Sequence, residues 1–450
     1  MLEGIFRYDG SSRFAKNHRW TPFWGVSGAW LLSSEEFMRN TSSWLSFAKI
    51  RLSWGQMGNQ AGIGLYDYIS QINIGGSYPM GNSLAPSKEQ SATLGGMSST
   101  SRTWETIETF NTAVDLSFLD SRLNATLEYY IKNNSNMFYN KEYPQVLGTT
   151  SPSINGAKAR TKGWDLSLNW KDKIKEVGYS ISFNLSDNRN RVIELAENAI
   201  PSLGTNGYIE GYPVGSYFGY KFNGFIQDEN DLKNYNEKIS NGGIPNTLKP
   251  GDAKYVDMDG DGKLVAQAYQ LDENGNPTKN SGDLICLGDN GQHYLLGLNL
   301  GLNWRNIDFS AFFQGVMNWK VFESNYSIEH WAIPSQEYFY HNTWTPDNKT
   351  AKYPRLSQDD GVKAYNYLIS DAPYKLINNR YIRLKNLQIG YTFSNVVLHK
   401  IKVQKFRVYF SGSDLFELKE IPKMYDPEKP FYTRITPMPR GYSFGINLTL

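Results

Sequence analysis

Cysteine is almost missing: Cys286, in LICLG, is the single one in 450 residues. That excludes an internal disulfide framework and any cysteine-based metal centre, and the lone thiol reads as a small buried hydrophobe. Long hydrophobic runs are missing too. No stretch approaches the roughly 20 apolar residues that a membrane helix requires, and the opening MLEGIFRYDG has neither the basic nor the apolar part of a secretory leader. Charge of one sign is also lacking. Forty-six basic residues face 44 acidic ones, a net of +2, which gives nucleic acid no reason to bind. Five histidines are scattered without metal-ligand spacing, and no GxSxG elbow, Walker loop or HExxH occurs, the letters GYSFG at 441–445 falling inside an alternating stretch. Enzymatic chemistry therefore has no foothold.

What is abundant is aromatic and glycine: 30 Tyr, 23 Phe, 12 Trp and 40 Gly, a mixture suited to strands and turns. A period of two recurs along the chain. GWDLSLNW sets Trp164, Leu166, Leu168 and Trp170 against Asp165, Ser167 and Asn169; RLNATLEYYIK, KIRLSWG, YSISFNLS, LLGLNLGLNW, IDFSAFFQ, KFRVYFSG and GYSFGINLTL repeat the scheme. In YIRLKNLQIGYTF the phase slips between Leu384 and Leu387, which predicts a β-bulge near Lys385 and Asn386. Alternation alone fits a soluble sandwich as well as a membrane barrel. The polar faces, however, are rich in Gly, Ser and Asn, as a wet lumen would be, and Trp164, Trp170, Trp304 and Tyr442 flank the apolar stripes like interfacial girdles.

The connections sharpen the expectation. Short turns (LDSR at 119–122, RN at 305–306, and a modest turn at 171–178) alternate with long excursions at about 57–110, 132–162, 187–294, 317–380 and 413–440. Short turns on one side and long loops on the other suit an outer-membrane barrel. The predicted fold is all-β: an antiparallel transmembrane β-barrel portion of about 12 strands, starting near Gly4–Tyr8, with extracellular loops and a periplasmic C-terminus. The last strand is expected to pair with the first strand of its barrel, because an open edge is not viable in lipid.

At this point the residues carry a likeness. DGSSRFAKNHRW, SWGQMGNQAGIGLYDY, SSTSRTWETIET, RTKGWDLSLNW, ISFNLSDNRNRV, GYPVGSYFGYK, GDAKYVDMDGDGKL, WTPDNKTAKYPRL, YIRLKNLQIGYTF, RVYFSGSDLF and GYSFGINLTL resemble, from end to end, the C-terminal part of a SusC/RagA-type TonB-linked outer-membrane transporter of Bacteroidetes. The resemblance implies a larger, plugged barrel. Residues 1–450 would be its C-terminal portion, with the signal peptide, carboxypeptidase-like domain and plug absent from this sequence. It implies uptake of oligosaccharides or other nutrients such as peptides, energised by TonB through the N-terminal region, with a SusD-like lipoprotein as lid. The rival expectations are a soluble secreted glycan-binding β-protein and a passive porin.

Two sets of residues stand out. In DMDGDGKL, Asp257, Asp259 and Asp261 alternate, Gly262 permits a tight turn and Lys263 offers its carbonyl, the front half of a calcium loop. Position twelve is Ala268 rather than glutamate; Asp283 could close the site, as the resemblance also implies. The expected ion is structural Ca2+, against the plainer reading of a solvated Asp/Gly loop. In the excursion before residue 380, Tyr326, Trp331, Tyr338, Phe339, Tyr340, His341, Trp344 and Tyr353 form an aromatic cluster suited to stacking on sugars or anchoring a partner, or to packing on itself. Lumen-side Arg51, Asp115, Glu128, Asp165 and Asp308 read as ion pairs between strands before they read as a solute path.

Overall fold

The computed structural model describes residues 1–80, 87–140, 146, 153–196, 199–278, 281–323, 337–394, 403–423, 425–429 and 438–449. One antiparallel sheet runs through it. Its twelve long strands are β1 (Leu2–Gly10), β2 (Trp20–Leu31), β3 (Leu45–Asn59), β4 (Glu105–Phe118), β5 (Leu123–Asn140), β6 (Ser153–Ile174), β7 (Val177–Leu195), β8 (Gln292–Trp304), β9 (Ile307–Phe322), β10 (Tyr381–Thr392), β11 (Lys405–Lys419) and β12 (Gly441–Thr449). Each pairs with the next in that order, and Leu376–Asn378 adds a short thirteenth partner to β9. Among the described residues β1 pairs only β2 and β12 only β11, so the sheet is an open wall.

The register converts the alternation into two faces, since directly opposed residues share a side. Ala48, Leu116, Ala125, Leu168, Phe183, Leu298, Phe313, Leu384 and Phe416 stand opposite one another from β3 to β11. The neighbouring row on the other face reads Ser117, Asn124, Asn169, Ser182 and Asn299. The four buried apolar clusters draw almost entirely on the long connections and strand ends. The wall's stripe stays uncovered instead: Leu52, Leu127 and Ile446 are half or more exposed. A soluble sandwich would bury that stripe against a second sheet, and none lies over it among the described residues.

The predicted bulge is present, with the pairing of β10 and β11 slipping between Leu384 and Asn386. Two expectations need correction. The turn at 171–178 is only Lys175–Glu176, because KDKI continues β6 as far as Ile174. The excursion at 132–162 is also shorter, because β5 and β6 stay paired to Asn140 and Ser153. Tight turns use left-handed residues, with Lys175 and Arg305 at φ 52° and 50°. On the same side, 32–44 and 393–404 are longer than hairpin turns.

On this architecture Leu168→Arg is expected to cost about 2–4 kcal/mol in bilayer-embedded protein, the penalty for a cation on the lipid face near mid-membrane. Asn169→Lys, on the opposite face, should cost under about 1 kcal/mol. Urea unfolding in lipid vesicles measures both.

Candidate metal centre

The described parts of the two longest connections, 196–291 and 323–380, build one lobe at the end of the wall opposite the tight turns. The first supplies strands Gly204–Asn206, Ser216–Tyr220 and Leu284–Asp289, a second pair at Phe222–Phe225 and Ala253–Tyr255, and helix α1 (Glu229–Lys238). The second adds helix α2 (Asp360–Asn366). Both helices begin on an aspartate cap: Asp228 accepts from the Asp231 N–H, and Asp359 from those of Gly361 and Val362. Their interface is a tyrosine-rich core in which Tyr255 is 1% exposed and Val362 fully buried. Tyr235 and Tyr365 join hydroxyls at 2.7 Å, and burial pushes the Tyr220 hydroxyl up to about 12.

Against this core lies the acidic loop. Asp257 accepts from the Gly260 N–H at 2.6 Å and the Gly262 N–H at 2.8 Å. Both glycines have positive φ, 77° and 80°, the conformation that turns the loop back on its carboxylate. Asp283, fully buried just before strand Leu284–Asp289, ties the loop down by accepting from Met258 and Val265 N–H groups, each at 2.7 Å. Carboxylate oxygens of Asp257, Asp259 and Asp283 lie within 4.8 Å of one another. Burial, then the neighbouring Asp259 and Asp257 charges, lift the Asp283 carboxyl to about 6 against the pull of its two backbone donors. Burial likewise raises Asp259. Among the described residues no Lys, Arg or His pairs with any of the three. Oxygen donors converging without a counter-charge fit a hard cation, and the triad could hold one.

The other two residues of the motif take different places. Asp261 does not join the triad; its Oδ1 accepts from the Lys263 N–H at 2.8 Å. Lys263 bridges to Gly242 on the far side of the loop.

The aromatic cluster divides. Phe339, Trp344 and Tyr353 are at most 5% exposed and form a second core with Phe225, Ala372 and Tyr374. Tyr338 is half-buried, stacked edge-on against Phe339. Tyr340 is open to solvent at 66% exposure, as is His341 beside it. Tyr326 and Trp331 lie outside the described residues. Trp344 therefore serves packing, and among the described members Tyr340 and His341 are presented outward. Cys286 is half-buried at the edge of the first core.

On the polar face of the wall, Arg51 bridges Asp115 at 2.7 Å and reaches Glu128 at 3.8 Å, and Arg407 bridges Asp308. These are the ion pairs between strands that the sequence suggested. Sequence reasoning missed Arg383. It is 2% exposed, with Glu417 at 2.6 Å, Asp426 at 3.0 Å and Glu428 at 3.1 Å, and Lys385 joins through Asp414 and Glu428. The network fastens the segment around 426–428 to the polar face of β10 and β11.

A wall with one continuous oily face, a polar ion-paired face, tight turns at one end and a folded lobe at the other defines an outer-membrane β-barrel architecture. No family model matches the chain. Curated relatives do. It is 25% identical over 476 residues to TonB-dependent receptor P26 of Formosa agariphila, covering 100% of this chain and 44% of the relative. It is 26% identical over 454 residues to TonB-dependent receptor SusC of Bacteroides thetaiotaomicron, covering 99% and 41%. Among solved structures, the RagAB peptide transporter superposes with a TM-score of 0.73 at 22% identity, over 99% of this chain and 45% of that one. The chain is similar to TonB-dependent receptors of the SusC/RagA type, and it spans less than half the length of the relatives it matches.

Proposed function

We propose that these twelve strands are a contiguous part of the wall of a larger plugged barrel that imports nutrients across the outer membrane with energy from TonB. The carrying observation is the uninterrupted apolar row from Leu116 to Phe416, over which no second sheet lies among the described residues. The two unpaired sheet edges and the partial span of the relatives support a wall completed by further strands. In this reading the lobe of 196–291 and 323–380 stands outside the cell, the C-terminus is periplasmic, and a SusD-like lipoprotein closes over the lobe. The cargo class is oligosaccharide or peptide; the solved neighbour named a peptide transporter supports the second. Calcium at Asp257, Asp259 and Asp283 would be structural, fixing the loop against the tyrosine core.

The test is uptake in cells. Deleting the gene and deleting TonB are each expected to abolish growth on the same oligosaccharide or peptide source. Growth that needs the gene but survives loss of TonB would instead make the protein a passive porin.

A further inference from the structure

Where the apolar stripe of β6 and β7 ends on the lobe side, the same face turns basic. Arg160 stands opposite Arg191 and Lys162 opposite Arg189, so two rungs carry cations on both strands. Like charges placed directly across a sheet repel and destabilise it, and an anion shared between the rungs would relieve that repulsion. Little on the protein answers them. Among the described residues that line the groove, about 610 Å³ in volume, Asp187 is the only acidic one. Asp187 is buried and already engaged by His293, Nδ1 to Oδ1 at 2.7 Å, with Arg189 Nε 3.6 Å from its other oxygen. Arg160 donates to Asn133. Among the described residues Lys162 and Arg191 make no side-chain hydrogen bond or ion pair, and both are exposed.

The depth of the groove identifies the anion. Positions two apart keep to one face, so Lys162 and Arg160 follow Trp164, Leu166 and Leu168 on the outward side. On the paired strand β7 the outward residues Val177, Tyr179, Ile181, Phe183 and Leu185 are apolar throughout, and Asp187, the rung partner of Trp164, stands ten residues above Val177. At ~3.3 Å per residue and a tilt of ~40° that is about 25 Å, the height of a barrel's apolar band. Trp164 and its rung partner Tyr129 sit where an interfacial aromatic girdle belongs, and the four cations lie just beyond it. That is the depth of lipid phosphates. Guanidinium groups match phosphate oxygens in geometry and charge.

We propose that this groove binds the phosphate-bearing head group of a membrane lipid in the leaflet facing the lobe, with Tyr129 and Trp164 against its apolar root. The proposal rests on the barrel-wall reading above. Its test uses the full-length membrane protein in detergent, with three probes: a phosphorylated acylated glucosamine disaccharide, its dephosphorylated counterpart, and inorganic phosphate. Native mass spectrometry is expected to show the phosphorylated lipid retained and the dephosphorylated one released, with millimolar inorganic phosphate unable to displace it. Lys162→Gln with Arg189→Gln should weaken retention roughly thirtyfold, from two cations removed. The charge-preserving pair Lys162→Arg with Arg189→Lys should restore it. Equal retention of the dephosphorylated lipid, displacement by inorganic phosphate, or unchanged binding in the glutamine variant would each overturn the proposal. Heat-modifiable gel migration in all forms shows that the barrel stands; its absence in the wild type would bring down the wall reading itself.

Discussion

Asp283→Ala is expected to detach the acidic loop from the lobe, at a cost of about 2–6 kcal/mol. The carboxylate accepts from two backbone N–H groups, Met258 and Val265, and each buried donor left unsatisfied costs ~1–3 kcal/mol. Amide exchange at 258–265 should rise while exchange in the wall strands does not. The pH dependence has a definite sign. The folded-state carboxyl titrates at about 6 instead of 3.8. In chelator the lobe is therefore most stable below pH ~4, where the group is protonated folded or unfolded, and loses roughly 3 kcal/mol as pH rises through ~6. A calcium ion held by the triad would act in the opposite sense, since it needs the ionised form. Its affinity should climb up to pH ~6 and then level. Asp283→Asn keeps the shape, so it should abolish both the calcium response and this pH slope with a smaller loss of stability.

Arg383→Met should have the other large effect, about 3–5 kcal/mol, the usual result of removing one partner from a buried ion cluster. Glu417, Asp426 and Glu428 would keep their charges with the arginine between them gone. Released protease sites near 423–429 would report the freed segment. Arg383→Met combined with Glu417→Gln and Asp426→Asn should recover part of the loss, because less negative charge is then left uncompensated.

How much of this was legible in the chain differs from residue to residue. Leu166, Leu168 and Trp170 announce a strand with one oily face because a period of two has no other simple reading, and the slip around Lys385 marks its bulge. Strand ends were less visible. Asn133–Asn140 and Ser153–Ala159 pair beyond the apolar stripe, so their largely polar sequences read as loop. Within the metal motif, Asp257 and Asp259 follow from spacing and Asp283 from its place downstream, as the resemblance also implies; the fold of the lobe brings the three together. Asp261, equally well spaced, spends its carboxylate on the Lys263 N–H. Trp344 and Tyr340 look alike in sequence; only packing makes one a core residue and the other a surface. Arg383 gave no signal, since two of its partners, Asp426 and Glu428, arrive from a segment beyond the next strand. The charged alternations of RTK at 160–162 and RNR at 189–191 were in plain view, and acquired meaning once the register set them opposite each other.

The most direct test of the central claim is depth-resolved labelling of single cysteines at Leu168, Phe183 and Leu298 and at Asn169, Ser182 and Asn299, with Cys286 replaced by alanine, in native outer membranes. Cysteines in the first row are expected to resist a charged maleimide and, once carrying a fluorophore, to be quenched by brominated acyl chains. Cysteines in the second row should label from water and escape the quenching. Quenching at the asparagine and serine row, or at neither row, would contradict the account.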